Sequence, residues 1–175
     1  MSVYSLYHKG SFTRSTLVFP NDHKNLTSAQ EDGGQALYEI TRHTRSMELI
    51  RCATAQTLLT GKYEGFTART MSLTGFGATT KAKQAGMWKL GWKFIDFSSN
   101  EFTWHVSAMS SSWTLTDQGG RVVAKFTRAR LRISKLGVLE VMERVDEALL
   151  ALILVTCKIV HHDVQESEQN SGGGG

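Results

Sequence analysis

The stretch that most constrains this chain is Asp146-Glu147-Ala148-Leu149-Leu150-Ala151-Leu152-Ile153-Leu154-Val155-Thr156-Cys157-Lys158-Ile159-Val160. Two acidic residues open it, where they suit the positive end of a helix dipole, and Ala and Leu dominate its first half. A helix is therefore predicted. At 3.6 residues per turn its Leu, Ile, Val and Ala side chains cover the whole circumference, and a helix that is apolar all round has to be enclosed all round. The uncharged run from Ala148 to Cys157 has ten residues, against the roughly 20 needed to span a bilayer. A core helix is expected, not a transmembrane one.

The rest of the chain reads as β. Strand-like runs recur every 8–12 residues, the spacing of antiparallel hairpins rather than of βαβ units. They are Leu17 to Phe19, Leu37 to Arg42, Met47 to Ala53, Leu58 to Tyr63, Ala68 to Leu73, Trp92 to Phe97, Phe102 to Ala108, Ser112 to Thr116, Val122 to Arg128, Leu131 to Ser134 and Val138 to Met142. In the seventh, Phe102, Trp104, Val106 and Ala108 alternate with Thr103, His105 and Ser107, which predicts one buried and one wet face. Ser98-Ser99-Asn100 and Asp117-Gln118-Gly119-Gly120 supply hairpin turns on either side. One apolar helix at the end of an otherwise all-β chain predicts a sheet closed around it, a barrel with the helix in its lumen, which also removes exposed strand edges.

A chain of 175 residues with 41% hydrophobic residues suffices for one domain and one core. Residues 1–15 and 163–175 are polar and aperiodic and are expected to be flexible tails, the second ending in four glycines. The barrel is assigned to residues 16–162. No apolar segment near Met1 resembles a secretory signal, so a cytoplasmic protein is expected, with peripheral membrane or nuclear placement as variants. The Asn25-Leu26-Thr27 sequon then carries no glycan. Cys52 and Cys157 lie in apolar contexts and read as small buried hydrophobes, although spacing alone leaves a bridge between them open.

Several of these elements, in order, carry a resemblance. Leu17-Val18-Phe19 is followed by Asn25, Leu37-Tyr38-Glu39-Ile40, Trp92-Lys93-Phe94 and Phe102-Thr103-Trp104. Then come Leu115-Thr116-Asp117-Gln118-Gly119-Gly120-Arg121-Val122-Val123-Ala124-Lys125-Phe126, Leu136-Gly137-Val138-Leu139-Glu140-Val141 and the Leu-rich helix ending in Val155-Thr156. This ordered set resembles an uncharacterised fungal family of tubby C-terminal-like domains. The resemblance implies a closed antiparallel barrel of about 12 strands around a central hydrophobic C-terminal helix, shared with tubby, the plant LURP-one-related proteins and the phospholipid scramblases. Tubby domains bind phosphoinositide head groups through basic surface residues, and scramblases are membrane-associated. The chain lacks the Pro-rich N-terminal segment and the Cys cluster of scramblases, and no tubby lipid-binding motif aligns with it.

Catalytic signals are weak. His161-His162-Asp163 could offer metal ligands, but adjacent helical histidines point about 100° apart and no matching His or Cys pair stands elsewhere. A polar helix exit explains them. His105 would need an orienting carboxylate and a nucleophile to act as a base, and neither is identifiable. Asp146 and Glu147 are explained by the helix start. Thr74-Gly75-Phe76-Gly77-Ala78-Thr79-Thr80 matches no phosphate-binding fingerprint and reads as a flexible loop. No enzyme activity, metal or cofactor is expected.

The basic residues hold what functional content there is. Arg121, Lys125, Arg128, Arg130, Arg132 and Lys135 fall in a stretch without an acidic residue, and Lys81, Lys83, Lys89 and Lys93 surround Met87 and Trp88. If extended, Arg128, Arg130 and Arg132 make a row of guanidinium groups about 7 Å apart. Arg pairs bidentately with phosphate, and Trp88 suits a membrane interface. The bland alternative is a solvated outer barrel wall. The favoured expectation is a non-catalytic module that docks on an anionic phospholipid surface or a protein partner. A nucleic-acid binder is the second reading, weakened by aromatics at core positions. An enzyme with a site assembled from distant residues is the third. Oligomeric state and specific ligand are not encoded in any motif.

Overall fold

The computed structural model describes residues 1–10, 14–65, 69–86, 90–107, 109–129 and 134–172. The strands are β1 (Ser2–His8), β2 (Ser15–Pro20), β3 (Tyr38–Arg42), β4 (Ser46–Arg51), β5 (Gln56–Glu64), β6 (Thr70–Gly75), β7 (Ala78–Gln84), β8 (Trp92–Ile95), β9 (Glu101–His105), β10 (Ser112–Asp117), β11 (Val122–Arg128) and β12 (Lys135–Val141). Helix α1 (Leu26–Gly33) follows β2, and α2 (Glu147–Gly172) ends the fold. Each strand pairs antiparallel with its sequence neighbour, and β1 pairs with β12 to close a twelve-stranded barrel. The architecture is the expected one, a mainly β closed barrel with a C-terminal helix.

Helix α2 fills the lumen. Asp146 caps it, its Oδ1 accepting the Leu149 N–H at 2.8 Å. Residues 150–161 are all buried. Alternate strand residues point at them, including Ile40, Met47, Leu49, Leu59, Met71, Leu73, Trp92, Phe94, Trp104 and Leu115. Thr156, the one hydroxyl in the apolar run, accepts the Trp104 indole N–H at 2.9 Å and donates to the Leu152 carbonyl at 2.7 Å, so neither polar group is left unpaired. At Gly137 a Cβ would lie 2.5 Å from Phe126 Cζ and 2.3 Å from the Thr127 carbonyl, so only glycine lets the Phe126 ring lie against β12.

The expected tails are corrected at both ends. Residues 2–8 are not a flexible tail but the strand that seals the barrel, with Tyr4 opposite Leu139 and Leu6 opposite Val18. Polar alternation hid it, because outward Ser and Tyr residues interleave with inward ones. Tyr7 and Phe19 face outward and are covered by Ala29 of α1 and by Ala36 in the segment after it. Helix α1, not foreseen, starts at a capping box in which Asn25 Oδ1 accepts the Ser28 N–H at 2.8 Å. At the other end α2 runs past residue 162 to Gly172, tied by Trp92 Nε1 to Asp163 at 2.7 Å and by Arg128 to Glu168. The supposed loop at 74–80 is the β6–β7 hairpin, with Phe76 and Gly77 at positive φ of 52° and 76°. Paired positive φ values mark a tight hairpin turn, and an aromatic in the first position concealed it. The strand expected over Leu131 to Ser134 falls mostly outside the described residues. Both cysteines are free, Cys157 within the core.

Deleting residues 1–8 exposes the edges of β2 and β12 and one side of α2. The truncated chain is expected to aggregate, running in the void volume on size-exclusion chromatography where the full chain elutes as a folded species.

Candidate functional site

The two basic groups occupy different walls. Lys81 and Lys83 lie on β7 and Lys93 on β8, whereas Lys125 and Arg128 lie on β11 and Lys135 on β12. Between β8 and β11 stand β9 and β10, so the groups are separated by three strand spacings, about 14 Å along the wall. Their described members do not form one patch. Trp88, Lys89, Arg130 and Arg132 lie outside the described residues.

Most of the candidate basic side chains that are described already have acidic partners. Arg121 bonds Asp117 at 3.1 Å and Glu143 at 2.7 Å. Arg128 takes Glu168 bidentately at 2.7 and 2.8 Å, and its guanidinium stacks 5.5 Å from the Trp113 ring centre. Lys135 is buried between Asp22 at 2.6 Å and the His23 carbonyl, with the Tyr7 ring beneath it. Lys125 faces Glu140 across the β11–β12 ladder. Of the expected arginine row only Arg128 is among the described residues, and its side chain turns onto α2 to meet Glu168. The stretch is acid-free in sequence, yet its counter-charges arrive from α2, the β12–α2 connection and the segment after β2.

The β7–β8 wall differs. Lys83 and Lys93 stand directly opposite each other in the ladder. Like charges so placed repel and weaken the pair. Lys93 reaches Glu101 at 3.1 Å and Lys81 reaches Glu64 at 3.0 Å, both bonds exposed and weak. Lys83 is exposed and has no ion pair among the described residues. Ile95 is 45% exposed on the same wall, and Phe76, 43% exposed, packs on Phe97 at the neighbouring turn. A groove of about 630 Å³ runs along this wall between Lys81, Lys83, Gln84, Lys93, Ile95 and Glu101. The sequence showed the lysines but not that two of them would face one another, because register is a pairing property.

Other candidates fall into structural roles. His105 bonds the Thr116 hydroxyl at 2.9 Å beside a larger open groove of about 930 Å³, and no carboxylate orients it among the described residues. His161 is buried edge-on against Trp113 and Phe126. Ligand atoms of His162, Asp163 and Glu166 lie within 4.8 Å of one another, but Asp163 already holds Trp92 and His162 already pairs with Glu166 at 3.3 Å. Glu147 bonds Arg51 and Tyr38, anchoring the start of α2. No described helix is long and apolar enough to cross a membrane.

Residues 21–166 match the profile of a family of unknown function. No curated protein matches the chain. Among solved structures it is similar to an X-ray structure of a protein from Arabidopsis thaliana, at 12% identity and a TM-score of 0.60, covering 94% of this chain and 91% of that one. At that identity the likeness concerns the fold alone. The family match begins after β1 and β2, although both belong to the closed barrel.

Burial in the lumen sets the pH response. Burial, then the nearby Arg42 charge, lowers Lys158 to about 8, and burial with the surrounding cations lowers His161 to about 2. Burial, with Asp163 next, raises Tyr63 to about 12. Where the unfolded chain binds more protons, stability rises with pH. Chemical denaturation across pH is therefore expected to show stability lost as pH falls from about 6.5 toward 2 through His161. It should show stability gained from about pH 8 to 10.5 through Lys158, and lost again from about pH 10 to 12 through Tyr63.

Proposed function

The chain belongs to the DUF6593 family, whose function is unknown, and from that starting point we propose that it is a non-catalytic binding module of the tubby C-terminal-like kind that docks on anionic phospholipid surfaces through the β7–β8 wall. The observation that carries this reading is the facing pair Lys83 and Lys93, with Lys81 beside them and exposed Ile95 along the same wall. A protein that needed only solubility would gain nothing from two opposed lysines on adjacent strands, where they repel. An anionic surface reverses that cost, since each basic side chain near a charged membrane contributes about 1 kcal/mol. Apolar side chains on the same wall add burial at the interface. The β11–β12 basic group is a poorer candidate, because Arg121, Arg128 and Lys135 are held by carboxylates. The same pairing weakens the nucleic-acid reading.

Flotation of the full chain with vesicles of neutral lipid, alone or containing a phosphoinositide, tests this reading. Recovery only with the anionic vesicles is expected, and K83E/K93E should weaken it at least about tenfold, as two charge reversals near the surface require. R121E serves as the comparison and should leave binding largely intact. Equal recovery on neutral vesicles, or none on either, would overturn the lipid reading.

A further inference from the structure

At the end of the barrel where α2 emerges, the inward residues of neighbouring strands change from apolar to basic and hydroxylic. His8 ends β1, Thr16 stands directly opposite it on β2, and Arg42 ends β3, two residues beyond Ile40, the β3 partner of Thr16. Helix α2 adds Lys158 and His161, one turn apart and both buried. These groups act on one another. Burial is the first cause that lowers His8, Lys158 and His161, and neighbouring charge adds to it: Lys158 acts on His8 and His161, Arg42 on Lys158, and Arg128 and His162 on His161.

Among the described residues this layer lacks partners. Among the described residues, the buried side-chain polar atoms without a hydrogen bond are Thr16 Oγ1, Arg42 Nε and His161 Nδ1. All three belong to it. Lys158 also has no carboxylate partner among the described residues. The acidic side chains of α2 at this end are engaged elsewhere: Asp163 by Trp92, Glu166 by His162 and Glu168 by Arg128. Buried cations and donors left unpaired are costly, and natural structures satisfy them with protein groups, water or a bound ion.

We propose that this inner mouth of the barrel is a binding site for a small oxyanion, with phosphate as the reference chemistry, held by Lys158, Arg42, Thr16 and His161. The donor set suits it. An ammonium, a guanidinium N–H, a hydroxyl and an imidazole N–H all donate, and among the described residues the nearest helix carboxylates, Asp163 and Glu166, are already engaged by Trp92 and His162. The site is separate from the β7–β8 wall, being built from β1, β2, β3 and α2. The anion is either free phosphate or the phosphate of a larger head group, which the chemistry of the donors treats alike.

Thermal melts of the full chain at pH 7, in chloride and in phosphate or glycerol phosphate at matched ionic strength, test the proposal. A saturable rise in Tm is expected, about 5–10 °C at roughly 100 times the dissociation constant. Ring nitrogen resonances of His8 and His161 should shift along the same titration. Half-saturation at lower glycerol phosphate than inorganic phosphate identifies a head-group ligand, and the reverse order identifies the free ion. Lys158→Met should melt higher than the native chain in chloride and lose the saturable response. Thr16→Val, a milder change, should weaken the response at least about threefold, the equivalent of a lost hydrogen bond. K83E/K93E should keep it, so that failure of membrane docking and failure of this site are distinguishable. A rise that is linear in phosphate and equal in Lys158→Met and Thr16→Val, with unmoved imidazole resonances, would reveal a hydrated layer under a general salt effect and overturn the proposal.

Discussion

Everything in this molecule depends on enclosing α2. Residues 150–161 are buried without interruption, and a helix with no polar face is stable only where every direction offers apolar side chains. A sandwich covers such a helix on two sides at most. A closed sheet covers it completely and removes both open edges at the same time. Closure therefore comes from β1 against β12, a pairing between the two ends of the strand order. The helix in turn fills a lumen that a twelve-stranded ring would otherwise leave wide. Gly137 permits the tight approach of Phe126 to β12, and Thr156 gives Trp104 its one polar partner. Barrel and helix are conditions for each other.

The same enclosure sorts the charges. Residues on the wall choose partners by register and by which strand ends lie near which helix turn. Arg128 thus meets Glu168, forty residues away, and Lys135 meets Asp22 from the opposite end of the chain. These pairings give Arg128 and Lys135 carboxylate partners from outside their own stretch. Lys83 and Lys93 are brought together by their ladder, with only the exposed Lys93–Glu101 pair set against the two charges. Inside the mouth, Lys158 and Arg42 approach one another with the helix carboxylates directed elsewhere. The two proposed binding regions, the β7–β8 wall and the inner mouth, are where the fold leaves positive charge less balanced.

Legibility followed the range of the interactions. The alternation of Phe102, Trp104 and the residues between them revealed β9, and the Ser99 and Gly120 turns announced their hairpins, because each is a property of a few adjacent residues. Residues 2–8 were unreadable as a strand because their outer face is covered by α1, so Tyr7 and Phe19 are buried on the side that alternation assigns to water. Phe76 hid a hairpin by occupying a left-handed position usually given to Asn or Gly. Helix α2 beyond residue 162 carries polar residues and looked like a tail, yet Asp163 and Glu168 are tied to β8 and β11.

For the site the division is sharper. His161 read as part of a polar helix exit and proves to be buried against two aromatic rings. Arg42, Thr16 and His8 gave no signal, since each is ordinary in its own strand and only neighbouring strands make them a group. By itself the sequence determined an all-round apolar helix, the β character of the remainder and hence an enclosing barrel, because these follow from local composition and period. Only the tertiary structure decided which strand closes the ring, which cations are neutralised and which are left facing each other. Those outcomes depend on register and on contacts between residues far apart in the chain, and no local pattern carries them.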